Sequence, residues 1–180
     1  MSKGSRVRPI VLIGYMGSGK STLLKPLAEA TLRIAIDLDT YIEQKYEMSI
    51  SHIFAKYGDF HFRKIERHAL EEVLEIDNAL IALGGGTPCF YDSMKLISKS
   101  SFSVYLKVST RKLIDRLSSR RSERPLITDL ENTEFSSFVE REVAKRGLYY
   151  EQADLILKDT VIEEAISVIT KRYKDFDQVS

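Results

Sequence analysis

The sequence predicts an α/β domain of three layers, with a five-stranded, parallel sheet covered by helices on both faces. Three observations lead there. Short apolar runs alternate with longer amphipathic stretches along the chain, the pattern of strand–helix–strand units. The runs are continuous in their apolarity, as strands buried on both faces are. A glycine-rich octet also joins the first apolar run to the first amphipathic stretch, the context in which a helix N-terminus meets an anion.

The first run, Ile10–Ile13, stops at Gly14, which opens Gly14-Tyr15-Met16-Gly17-Ser18-Gly19-Lys20-Ser21. The octet fits G-x-x-x-x-G-K-[ST], a phosphate-binding loop. Gly14, Gly17 and Gly19 allow the backbone to curl so that N–H groups, with that of Ser18, converge on phosphate oxygens. Lys20 supplies a mobile charge to the β- and γ-phosphates, Ser21 a hydroxyl ligand for Mg²⁺, and Thr22 continues the first turn of the helical pattern Lys20–Ala30. Pro26 falls inside that pattern, where it removes an N–H and crowds the preceding turn, so a kink or an early end is expected.

The second run, Ile34–Ile36, leads into Asp37-Leu38-Asp39. Carboxyl ends of strands in an open sheet face the ligand crevice. If the chain stays extended there, both aspartates project to the same side. One then serves Mg²⁺, the other takes a proton from an attacking hydroxyl. The alternative is a helix N-cap with acidic residues ahead of Thr40–Tyr46.

In the helical pattern Phe60–Glu75, Arg63 and Glu66 stand three apart and can pair on one face, as a solvated surface pair or as part of a site. The run Ala79–Leu83 ends in Gly84-Gly85-Gly86, either a flexible turn or a backbone wall that leaves room for a ligand.

After Phe102–Leu106 and the pattern Thr110–Leu117, residues 118–133 are polar and arginine-rich, as a functional lid or a disordered segment is. Arg116, Arg120, Arg121 and Arg124 crowd this part of the chain. Arg124 is the one singled out for phosphate contact, because Pro125 stiffens the backbone beside it. Arg146 lies near the end of the pattern Glu134–Tyr150, where it could also complement the helix dipole. The run Leu155–Leu157 and the pattern Val161–Tyr173 complete the alternation.

The composition narrows the function classes. The 180 residues suit one domain over 1–180. The net charge of +1 gives no global field toward nucleic acid or an anionic membrane, so neither is an expected partner and any anion site must be local. Cys89 is the single cysteine, which excludes an intrachain disulfide and favours a reducing compartment. It reads as a small packing residue. Ile10–Ile13 is too short for a signal core or a membrane span, and the expectation is a cytoplasmic protein. His52, His61 and His68 have no metal-ligand spacing, and no dimerisation stripe is evident, so a monomer is expected.

Taken together, these landmarks resemble shikimate kinase. The resemblance runs from about Arg8 to about Tyr173, through Gly14–Thr22, Ile36-Asp37-Leu38-Asp39, Ile50-Ser51-His52-Ile53-Phe54, Gly58 to Glu66, Leu83-Gly84-Gly85-Gly86, Arg124-Pro125-Leu126 and Lys145-Arg146-Gly147-Leu148-Tyr149. It implies a sheet of strand order 2-3-1-4-5 and transfer of the ATP γ-phosphoryl group to the 3-hydroxyl of shikimate, with Mg²⁺. It also implies roles. Asp39 contacts the reacting hydroxyl, Asp37 stands on the metal side, and Arg63 and Arg146 grip the substrate carboxylate. Gly84, Gly85 and Gly86 form the pocket wall, with Phe54 and Phe62 on its apolar side. Arg124 reaches the transferring phosphate from the lid, and Glu66 holds an arginine.

This chain departs from the family pattern in places. Leu24 stands where a glycine is usual, followed by Pro26. The segment before Arg124 is one residue longer, which leaves the match of Arg116 to an adenine-stacking arginine open. The loop after Leu157 carries Lys158 but no arginine. Two rivals remain at this level: a kinase for another small acceptor such as gluconate or a nucleoside monophosphate, and a nucleotide-sensing module without turnover.

Overall fold

The structure is a computed structural model that describes residues 7–118 and 132–179. Five strands, β1 (Ile10–Ile13), β2 (Ile34–Asp37), β3 (Ala79–Ala82), β4 (Phe102–Lys107) and β5 (Leu155–Lys158), form one parallel sheet in the order β2-β3-β1-β4-β5. This is the expected order. The central strand β1 is fully buried, in register with Leu80–Ala82 on one side and Phe102–Tyr105 on the other. Its side chains alternate between faces, as the pleat requires. Val11 and Ile13 join one apolar cluster, Ile10 and Leu12 another.

Helices α1 (Lys20–Thr31) and α7 (Ile162–Val179) cover the Ile10/Leu12 face with Leu23, Leu27, Ala165 and Ile169. The opposite face is covered by α2 (Leu38–Tyr46), α3 (Ile50–Leu74), α4 (Ser93–Ser100), α5 (Thr110–Ser118) and α6 (Asn132–Tyr150). They contribute Leu38, Ile53, Leu70, Ile97, Leu113 and Val139 among others. Each fully buried side chain of this size stabilises the fold by about 1.5–3 kcal/mol relative to exposure.

The structure departs from the sequence reading in several places. The helix α1 continues through Pro26 to Thr31 rather than ending early. Leu23, Leu24, Leu27 and Ala28 are buried along it, and that packing outweighs the one hydrogen bond proline removes. Leu24, a departure from the family pattern, is itself 8% exposed and packs in this face. The helical segment expected from Phe60 is present, and the structure adds helical turns ahead of it from Ile50, where Ser49 caps α3 by accepting from the His52 N–H at 3.2 Å. At Gly58 it breaks, with φ 75 and ψ 169. The short helix α4, which buries Met94 and Ile97, is an addition to the expected helices. Finally, β2 is an edge strand and is not buried on both faces: Ile34 is 55% exposed.

Candidate active site

The crevice lies at the carboxyl ends of the strands, where β1, β2 and β3 run into Gly14, Asp37 and Gly84. A cavity of about 840 Å³ opens there, lined by Gly17, Ser18, Gly19, Lys20, Ser21 and Thr22, by Asp37 and Asp39, and by Gly84 and Gly85.

At one end the octet forms a tight loop. Gly14, Gly17 and Gly19 have φ of 149, 79 and 98, conformations that side chains with a Cβ rarely adopt. A Cβ at Gly14 would also stand 2.8 Å from Ser18 Oγ and 3.0 Å from the Leu106 carbonyl oxygen. Gly14 therefore shapes the loop from behind, although it does not line the cavity. Lys20 is 8% exposed, and its ammonium donates to the Gly14 carbonyl at 2.8 Å and the Tyr15 carbonyl at 3.1 Å. The Ser21 hydroxyl donates to Asp37 Oδ2 at 3.1 Å.

Both readings of the aspartates meet here. Asp37 Oδ1 caps α2 by accepting from the N–H of Asp39 at 3.1 Å and of Thr40 at 3.3 Å, while Oδ2 faces Ser21. The chain is helical by Leu38, so Asp39 reaches the crevice from the first turn of α2 and not from an extended strand. Burial, then the Asp37 and Glu66 carboxylates, push Asp39 up to about 6 from its ordinary 3.8, against the pull of Lys20.

At the other end two guanidinium groups are held in place, just outside the cavity lining. Arg63 donates to Glu66 Oε2 at 2.8 Å and pairs through Nε with Asp59 at 3.3 Å. Its guanidinium carbon lies 4.2 Å from the centroid of Phe90, 5.2 Å from Phe62 and 5.7 Å from Phe54, a cation–π cage. Arg146 donates to Glu142 at 2.7 Å and stands 5.2 Å from the Tyr15 ring. The three glycines fit between these groups. A Cβ at Gly84 would meet Asp39 Oδ1 at 3.0 Å. At Gly85 it would meet the Met16 backbone nitrogen at 3.3 Å and Arg146 Nη1 at 3.6 Å, and at Gly86 Arg63 Nη1 at 2.9 Å. The Tyr150 hydroxyl donates to the Gly85 carbonyl and fastens this turn to α6. Burial pushes the nearby Cys89 thiol up to about 11, which suits a packing residue and not a nucleophile.

A family profile described as shikimate kinase matches residues 16–176. The chain belongs to the shikimate kinase family. The shikimate kinase of Parabacteroides distasonis is 41% identical over 149 residues, 83% of this chain and 86% of that protein. The crystal structure of shikimate kinase from Bacteroides thetaiotaomicron superposes with a TM-score of 0.86 at 34% identity, covering 93% of this chain and 98% of that one. A shikimate kinase from Acinetobacter baumannii, solved in complex with shikimate, superposes at 0.84 with 27% identity over 94% of both chains.

Several groups of this site escaped the sequence reading. Asp59 and Glu142 pair with the arginines at helical spacing, and that spacing was the available signal. Phe90 and Thr87 follow the glycines, and nothing in their spacing placed them beside Arg63 and Glu66. At the far end of the cavity Arg116 Nη1 donates to the Gly17 carbonyl at 2.9 Å. Lys112, Asp159, Thr160 and Val161, not Lys158, line this part. Asp159 accepts from the Ser109 N–H at 3.0 Å and pairs with Lys112 at 3.3 Å. Arg124 and residues 119–131 of the expected lid lie outside the described residues.

A divalent cation that takes one or two protein oxygens suits this arrangement. Ser21 and Asp37 place a hydroxyl and a carboxylate together at the cavity wall, and no group of three or more His, Cys, Asp or Glu that could hold a metal occurs among the described residues. That is the donor set of an ion that keeps its waters and substrate phosphates, as Mg²⁺ does.

Proposed function

We propose that the chain transfers the γ-phosphoryl group of ATP to the 3-hydroxyl of shikimate, giving shikimate 3-phosphate and ADP, a step of aromatic amino-acid biosynthesis. The observation that carries the reading is the division of one crevice. A phosphate loop forms one end, the half-buried Asp39 lies beside Gly84, and the guanidinium groups of Arg63 and Arg146 stand just beyond the lining at the glycine turn. A substrate with a carboxylate at one end and a hydroxyl at the other spans that layout.

In this reading the backbone of Gly17, Ser18 and Gly19, with Thr22, holds the phosphates, and Lys20 exchanges its loop carbonyls for their oxygens. Arg63 and Arg146 bind the shikimate carboxylate, for which a guanidinium fork is a geometric match. Gly84, Gly85 and Gly86 bring the backbone close to the ring. Asp39, raised to about 6, is a carboxylate at neutral pH with an affinity for protons suited to taking one from the 3-hydroxyl. As the O3–P bond forms and the bond to the β-phosphate oxygen breaks, that proton passes to Asp39. Positioning and charge neutralisation supply most of the rate, with Lys20 and the lid residue Arg124 facing the charge on the transferring group. Mg²⁺ held at Ser21 and Asp37 would neutralise charge on the phosphate oxygens.

The chain acts as a single domain and a monomer in the cytoplasm, with ATP and shikimate as its partners and neither nucleic acid nor membrane among them. The free thiol and the dependence on ATP support that compartment. Among the described residues no helix is long and apolar enough to cross a membrane. The test is ADP release with Mg²⁺ and ATP against shikimate, gluconate and nucleoside monophosphates. Release that requires shikimate is expected. Release with another acceptor alone would overturn the assignment of Arg63, Arg146 and the glycine wall.

A further inference from the structure

Glu66 is a carboxylate with 3% exposure, in a place where an unsatisfied charge is costly. Its two oxygens have different partners. Oε2 accepts from Arg63 Nη1 at 2.8 Å, and Oε1 accepts from the Thr87 hydroxyl at 2.6 Å, twenty-one residues further along the chain. Thr87 is 1% exposed and begins the 3-10 turn Thr87–Cys89, where its N–H donates to the Gly84 carbonyl at 3.2 Å. One residue thus ties the glycine turn to α3.

A hydroxyl has one proton to give. Asp39 Oδ1, Thr87 Oγ1 and Glu66 Oε1 all converge on the space a Cβ at Gly84 would fill, at 3.0, 3.1 and 3.2 Å. The proton of Thr87 goes to Glu66. With a donor on each oxygen, the Glu66 carboxylate cannot turn about its own axis without losing one of them, and Oε2 stays on Arg63.

We infer that Thr87 is a positioning residue for acceptor binding: acting through Glu66, it sets the direction in which Arg63 presents its fork. The inference rests on the reading that gives Arg63 the shikimate carboxylate. Without the hydroxyl, Oε1 loses its buried donor, the carboxylate rotates to recover one, and the guanidinium follows it out of alignment. The phosphate loop has no part in this chain of contacts, so nucleotide binding is unaffected.

The test uses the full chain, with Thr87→Val removing the hydroxyl at constant shape and Thr87→Ser retaining it. A lost hydrogen bond to a buried charge predicts a rise of about tenfold in KM for shikimate in Thr87→Val, with KM for ATP within about twofold and near-complete rescue in Thr87→Ser. Should Thr87→Val fail to fold, Thr87→Ala serves as the hydroxyl-free variant. The effect must also travel through Arg63. In an Arg63→Lys background, Thr87→Val should raise KM for shikimate by less than about twofold further. Additive effects, or an unchanged KM for shikimate in Thr87→Val beside a lowered Tm, overturn the inference. An Arg63→Lys variant with unchanged KM for shikimate sinks the Arg63 assignment itself, whatever Thr87 does.

Discussion

At the phosphate end of the crevice most of the lining comes from one stretch, Met16–Thr22. At the acceptor end the groups come from separate places. Asp39 belongs to α2 and Arg63 with Glu66 to α3, the glycines and Thr87 follow β3, and Arg146 with Glu142 is on α6. The first end is local backbone geometry that a short motif specifies. The second exists only when four parts of the fold have packed. The phosphate end should therefore respond to change all at once, and the acceptor end by degrees.

The largest expected effect is at the phosphate end. Lys20→Ala removes the only side-chain cation within the octet and should lower kcat by about a hundredfold or more, measured as ADP release at saturating shikimate. Near-normal turnover would mean the loop is not the catalytic phosphate site.

Next comes Gly86→Ala, which places a methyl group 2.9 Å from Arg63 Nη1. The guanidinium is confined by Glu66, Asp59 and three rings, so it shifts as a whole. KM for shikimate should rise by about tenfold, with KM for ATP steady. Equal losses for both substrates would show that the two ends are not independent.

Asp39 sharpens the comparison through pH. Its carboxylate must be ionised to accept a proton, so kcat/KM for shikimate should fall as pH drops through about 6. The linkage has the opposite sign for stability. A raised aspartate binds its proton more tightly in the folded state, so folding is destabilised above about 6 and the effect vanishes below the ordinary 3.8. Asp39→Asn should accordingly raise stability at pH 8, by on the order of 1–2 kcal/mol, and leave it unchanged at pH 3.5, as denaturant midpoints would register. A variant less stable at pH 8 would contradict the assigned burial and charge.

The smallest effect is expected at Gly58. Its φ of 75 breaks α3 between Phe54 and the pair Phe62 and Arg63, with nothing within 4 Å of an added Cβ. Gly58→Ala should therefore cost about 1 kcal/mol through backbone strain alone, seen as a lower Tm. Shikimate binding should suffer more than ATP binding. An unchanged Tm would place the strain elsewhere.

The same contrast explains what the sequence disclosed. The alternation of strands and helices and the Lys20–Ser21 loop follow from contiguous residues whose types leave few alternatives, whereas the sheet order and the metal-side place of Asp37 came from the resemblance. The roles of Arg63 and Arg146 came from resemblance, because a helical Arg–Glu pair looks the same on a surface as in a pocket. Thr87 and Phe90 were invisible because their partners are distant in sequence and meet only after the glycine turn docks on α3. The early helix end offered for Pro26 does not occur, for a related reason. A local penalty was weighed without the buried face of α1 that offsets it.

The Lys20 ammonium rests on the carbonyl oxygens of Gly14 and Tyr15. Nucleotide capture is thus an exchange of partners and not the filling of a waiting charge. An incoming polyphosphate must compete with the loop's own oxygens, and a single weakly basic anion competes poorly. The loop's own backbone thus holds its cation in place at the cavity wall.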